Sequence, residues 1–154
     1  MKEGNLSDLS DKTEKVILEI FSSQNTWLLI NIKGTLYNPK TKQYITKSNL
    51  GIIDYVFRKK ESYGCSNINY SRYYNILVDL QATSALVTYP FIEKKTDSVI
   101  GIIQIEYNAK LSEKIGKLKD NEAMLFNMLE ICFVNWICQN RNVLDNIDKC
   151  SWSI

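Results

Sequence analysis

"LVTYPFIEKKTDSVIGIIQIEYN", Leu86 to Asn108, is two apolar runs joined by a charged turn. The first run carries a single proline, Pro90, and the second a single glycine, Gly101. Short apolar runs bounded by turn residues are buried strands, and two in direct succession pair antiparallel. Proline has no N–H to give to a ladder, so Pro90 is expected where the strand leaves its pairing and enters the turn. Gly101 is expected either at a bulge or where a helix or ligand comes close to the strand. Such a hairpin suits an enzyme core or a ligand-sensing sheet equally well. Reactive residues elsewhere in the chain decide between them.

Catalysis has little to work with. The 154 residues contain no histidine, which removes Ser-His and Cys-His nucleophile pairs, the HExxH zinc helix and a histidine-ligated haem together. No GxxxxGK[ST] or GxGxxG loop is present to cradle phosphates. Carboxylates and lysines remain, but no pair stands out, and Asp54 and Asp97 fall at helix-surface and turn positions where solvated carboxylates are ordinary. The four cysteines, Cys65, Cys132, Cys138 and Cys150, form no CxxC pair and read as free thiols in a reducing compartment. No catalytic and no metal-ligating residue is assigned.

The bulk numbers fit one domain with a proper core: 45% hydrophobic, 23% charged, net charge +2. That charge is too small to imply a nucleic-acid or membrane partner, and Arg58-Lys59-Lys60 and Lys94-Lys95 read as solvated faces. No run reaches the roughly 18 apolar residues of a spanning helix. The start, "MKEGNLSDLSDKTEK", has no signal-peptide core, so a cytoplasmic location is expected.

From Asn5 to Ser23, Leu6, Leu9, Val16, Ile17, Ile20 and Phe21 recur at helical spacing. "WLLINIK" (Trp27–Lys33) is a strand, and Asn38-Pro39 marks a turn between two short strands. Ser48 to Glu61 reads as a helix capped by Ser48 or Asn49, with Leu50, Ile53, Val56 and Phe57 inward. A tyrosine-rich irregular stretch precedes the hairpin. Asp120 begins a long helix with Leu125, Leu129, Cys132, Trp136 and Val143 on its inner stripe. This order predicts an α+β fold with an antiparallel sheet. The expected single domain, 1–154, comprises an N-terminal helix (1–24), sheet and lid (25–119) and a C-terminal helix (120–150).

In this order the chain resembles a GAF domain along nearly its whole length. The family's "Gly-Ile-x-x-x-Val" helix start is matched by Gly51 to Val56, and its "Asp-Pro-Arg-Phe-Asn" loop is resembled by Tyr70-Ser71-Arg72-Tyr73-Tyr74-Asn75. "Val-Pro-Ile" is seen as Tyr89-Pro90-Phe91-Ile92, and "Val-Ile-Gly-Val-x-Gln-Leu" as Val99-Ile100-Gly101-Ile102-Ile103-Gln104-Ile105. "Asp-Glu-x-x-Leu" is resembled by Asn121-Glu122-Ala123-Met124-Leu125. The resemblance implies five or six antiparallel strands, with the N- and C-terminal helices packed on one face and a ligand lid on the other.

It also implies a non-enzymatic sensor, cut from a larger signalling protein, that binds a cyclic nucleotide, cAMP or cGMP, and no other cofactor. The matching positions are Ser66, Asn67 and Ile68 facing the phosphate, Tyr73 as lid aromatic, Asp79 near base or ribose, and Thr83 and Ser84 after it. A ligand-free interaction module filled by its own tyrosines is the alternative. A small redox enzyme using Cys65 is a third reading. Family branches that bind bilins need a histidine beside cysteine, and those that reduce free methionine sulfoxide carry paired cysteines around the lid, where this chain has Cys65.

Leu129, Trp136, Val143 and Cys150 recur every seven residues, with Ile137 and Leu144 alongside. Sustained heptads suit a helix that pairs with its own copy. The expectation is a parallel homodimer through the terminal helices, signalling to an output domain; the alternative folds the last turns back on the N-terminal helix.

Overall fold

The computed structural model describes residues 3–21, 25–45, 50–83, 85–107, 120–141 and 152–153. Helix α1 (Glu3–Phe21) leads into β1 (Asn25–Ile32), β2 (Thr35–Asn38) and β3 (Gln43–Ile45). Helix α2 (Gly51–Lys59), β4 (Tyr63–Cys65) and a single 3-10 turn (Ile68–Tyr70) follow. The hairpin β5 (Ala85–Glu93) and β6 (Ser98–Tyr107), helix α3 (Asp120–Gln139) and a two-residue strand β7 (Trp152–Ser153) complete the order.

The sheet runs β4-β5-β6-β1-β2-β3-β7. Its first six strands are antiparallel, as expected, and β7 adds in parallel to β3. Strand β1 lies at the centre, Leu29 opposite Ile102 on β6 and Ile30 opposite Tyr37 on β2. Lys33 and Gly34, both at positive φ (52° and 86°), make the two-residue turn between β1 and β2, a geometry that matches the right-handed twist of the paired strands.

Strand alternation sends side chains to two separate cores. Leu28, Ile30, Val87, Phe91, Ile103 and Ile105 face α1 and α3, meeting Leu6, Ile17, Phe133 and Ile137. Leu29, Leu86 and Ile102 face the other way, toward α2 and the loop that follows it, meeting Ile52, Ile53, Val56, Ile68, Val78 and Leu80. Each such aliphatic or phenyl side chain removed from water contributes about 1.5–3 kcal/mol. The terminal helices and the lid therefore lie on opposite faces of the sheet.

Several local expectations are corrected. The inward face of α1 is Leu6, Ser10, Thr13, Glu14 and Ile17, with Val16 exposed. Glu14 turns inward because it has work there: it accepts from the Leu28 N–H at 3.1 Å and pairs with Lys40. The N-cap position of α2 is Leu50, whose side chain makes no capping bond; the expected caps, Ser48 and Asn49, lie outside the described residues. On α3 the buried residues are Phe133, Val134 and Ile137, with Leu129 and Trp136 packed beside them and Cys132 exposed. Leu129 and Trp136 cover the sheet, so their heptad spacing is spent within one chain. Val143, Leu144 and Cys150 lie outside the described residues.

Pro90 is not at the end of pairing. It stands opposite Ile102 within β5, which stays paired with β6 to Glu93. Proline is tolerated because the other neighbour, β4, has already run out opposite Thr88, leaving an edge that needs no donor. Gly101 satisfies both of its expected roles. The register jumps from Phe91 opposite Gly101 to Ile92 opposite Val99, leaving Ile100 as a bulge. A Cβ at Gly101 would stand 2.7 Å from the Leu29 carbonyl oxygen and 3.3 Å from Phe133 Cε1, so glycine lets α3 settle against the sheet.

Candidate functional site

The lid is the chain between β4 and β5, and its root is Asp79. This carboxylate is buried yet accepts four hydrogen bonds, from the Ile52, Ile53 and Asn75 N–H groups at 2.8, 3.0 and 2.8 Å and from Gln104 Nε2 at 3.0 Å. It thus satisfies the open donors at the start of α2 in place of a local cap, and its charge complements the positive helix end. Burial pushes the carboxyl up from its ordinary range, and the four donors oppose that only in part. Gly51 makes the arrangement possible: at φ 85°, its Cβ would lie 2.7 Å from Asp79 Oδ2.

Gln104, on central β6, is the second hub. Its Oε1 accepts from the Leu80 N–H at 2.8 Å and the Trp27 indole N–H at 2.7 Å, while Nε2 donates to Asp79 and, at 3.1 Å, to Thr88 Oγ1. All four bonds that an amide side chain can make are made. The lid is thereby tied to three strands through one residue.

Above this network the space is filled by tyrosines. Tyr73 stacks on Tyr55 with centroids 4.5 Å apart, and Tyr63 meets both rings edge-on at 5.4 Å. Tyr63 Oη and Ser71 Oγ are 2.9 Å apart. Tyr74 donates to the Leu80 carbonyl and accepts from the Ala82 N–H, pinning the lid's second half.

The predicted ligand residues occupy varied environments. Ser66 is exposed after β4. Asn67 caps the 3-10 turn, its Oδ1 accepting from the Asn69 N–H at 3.0 Å, while its carbonyl takes the Tyr70 N–H. Ile68 is buried in the second core, Tyr73 is half-buried in the tyrosine cluster, and Asp79 is the lid root. Thr83 is exposed and donates its N–H to the Glu106 carboxylate at 2.5 Å. Ser84 lies outside the described residues. The structure therefore brings Tyr73 and Ile68 to the second core, which also takes in Val78 and Leu80 on either side of Asp79. It leaves Ser66 and Thr83 on the surface.

Outside the tyrosines, an open cleft of about 260 Å³ separates α2 from the segment Arg72–Asn75. Its walls include Gly51, Asp54, Arg58, Arg72, Tyr73 and Asn75. Gln104, Trp27, Thr88, Arg58 and Arg72 are not among the site residues expected from the sequence. For Gln104 a signal existed, since one amide inside the apolar run "IGIIQI" must find buried partners.

The thiols make a poor redox centre. Burial pushes Cys65 up, and the Asp79 charge adds to that, so little of it is thiolate at neutral pH. Cys138 is also raised by burial and by Glu93, to whose carboxylate it donates. Cys65 is on β4, whereas Cys132 and Cys138 are on α3, on the far face of the sheet. Among the described residues no group of three or more His, Cys, Asp or Glu could hold a metal ion, and no helix is long and apolar enough to cross a membrane.

At the level of sequence no protein-family model and no curated protein matches the chain. Solved structures do. The GAF domain/HD domain protein from Geobacter sulfurreducens superposes with a TM-score of 0.62 at 8% identity, covering 88% of this chain and 93% of that one. The GAF domain of a phosphoenolpyruvate-protein phosphotransferase from Coxiella burnetii gives 0.61 at 14%, covering 92% and 98%. A type II free methionine-R-sulfoxide reductase from Thermoplasma acidophilum gives 0.57 at 12%, covering 83% and 90%. Identities this low speak to architecture alone, and the architecture is consistent across them. The chain has the fold of a GAF domain.

Proposed function

We propose that the chain is a regulatory, non-enzymatic domain that senses a small molecule beneath its lid, a cyclic nucleotide being the ligand class. The observation that supports this is the division of the molecule: the lid and α2 form their own core on the sheet face opposite the terminal helices. They can move without dismantling the other core. Among the described residues no group of three or more His, Cys, Asp or Glu accompanies them, and the raised Cys65 thiol speaks against a redox role. A ligand enters by displacing Tyr73 from Tyr55 and by freeing the amides that Asn67 now engages. Such a domain reports through its terminal helices, as a homodimer, to an output domain.

The test is a thermal-shift series with cAMP, cGMP and other nucleotides. A ligand at 100 times its dissociation constant adds about 2.7 kcal/mol to the native state. A rise in Tm with a cyclic nucleotide, reduced by Asn67→Ala and Tyr73→Ala, is the expected result. No shift with any nucleotide at millimolar concentration favours the second reading, a ligand-free interaction module. The tyrosine stack under the lid is the observation on that side.

A further inference from the structure

Two arginines line the cleft between α2 and the Arg72–Asn75 segment, and both are held in a way that leaves donors to spare. Arg58 gives its Nε–H to Asp54 at 2.9 Å, one turn earlier on α2, which fixes the guanidinium plane and uses one of its five N–H groups. Arg72 lies over the Tyr73 ring, its Cζ 5.8 Å from the centroid. A cation–π contact of this kind consumes none of the guanidinium N–H groups. Asp54 neutralises one of the two charges, so the cleft keeps a positive excess. Its volume of about 260 Å³ suits a small molecule.

We propose that this outer cleft is a second binding site, separate from the space beneath the lid, for the phosphate group of a small molecule, held between Arg58 and Arg72. Guanidinium and phosphate match in geometry, and charge-assisted bonds of this kind are about twice as strong as neutral ones. The site shares a wall with the lid, because Tyr73 separates the cleft from the tyrosine cluster. A phosphate bound there holds Arg72 on Tyr73 and keeps the lid shut.

The experiment titrates isotope-labelled protein with inorganic pyrophosphate at fixed ionic strength and follows backbone amides. Saturable shifts at Gly51 and Arg72 to Asn75 are expected, with affinity falling about tenfold or more in an Arg58→Gln, Arg72→Gln variant. Both side chains are exposed, so that variant keeps the fold, which its spectrum verifies. A Lys94→Gln, Lys95→Gln variant, equal in charge change and remote from the cleft, is expected to leave the affinity unchanged. Unaltered affinity in the double arginine variant overturns the site, as does the absence of any saturable response. An equal fall in the lysine variant marks attraction to net charge alone and overturns it equally.

Discussion

A methyl group at residue 51 would stand 2.5 Å from Val78 Cγ2 and 2.7 Å from Asp79 Oδ2, at a φ that side chains avoid. Glycine here serves a carboxylate 27 residues beyond Ile52. Asp79→Asn keeps the shape but turns an NH2 toward donors that need an acceptor, so a loss of about 1–3 kcal/mol at neutral pH is expected. The difference depends on pH. Because burial raises the folded carboxyl, the folded state holds its proton more tightly than the unfolded chain. That contribution is complete below the ordinary value of 3.8 and is lost as pH rises through the folded value. Urea titrations should therefore show the wild type gaining on Asp79→Asn as the solution is acidified; a constant gap would show that Asp79 is not perturbed. The sequence made Gly51 and Asp79 visible as motif positions. It could not show that one exists for the other, because a cap supplied from so far along the chain leaves no local signal.

At the scale of elements, the outer edge of β5 beyond Thr88 has no strand partner among the described residues. Exposed edges invite pairing with other chains, and this one is blunted twice. Pro90 offers no donor, and the Ile92 N–H is taken by Glu130 of α3 at 3.2 Å. Glu130→Ala is expected to cost about 1 kcal/mol and to promote concentration-dependent self-association, read by sedimentation velocity. Unchanged sedimentation would mean that Pro90 suffices. The hairpin itself was plain from hydrophobic runs and turn residues, as were α1, α2 and α3 from their periods. The inner stripe of α3 was plain for Leu129 and Trp136 but not for Cys132, which is exposed; what the spacing left open was a partner helix. Seven-residue spacing serves a helix lying on a sheet as well as one lying on its twin, and Leu129 and Trp136 turned out to lie on the sheet.

Over the whole molecule, that correction moves the proposed dimer surface. Met124, Met128 and Ile131 are each more than half exposed on α3, at the spacing of one helical stripe. A Met128→Asp, Ile131→Asp variant is expected to sediment as a monomer where the wild type is a dimer at micromolar concentration. A monomeric wild type removes the dimer, and a dimeric variant moves the contact elsewhere. Fold class was legible because element order and pattern are additive along the chain. The lid's interior was not, since the polar partners that meet there come from β1, β5, β6 and α2.

The strand order also bears on how the molecule is made. Hairpins β1–β2 and β5–β6 each close a short loop, but the seam between β1 and β6 joins Trp27 to Gln104, 77 residues apart. Chain entropy must be surrendered across that span before any contact repays it. The seam is therefore the expected slow step, reached after two local hairpins have formed. Leu29→Ala, on the seam, should slow refolding, whereas Ile45→Ala on outlying β3 should chiefly hasten unfolding. A ribosome releasing this chain would expose the unpaired edge of β1 until nearly all of the sheet had emerged.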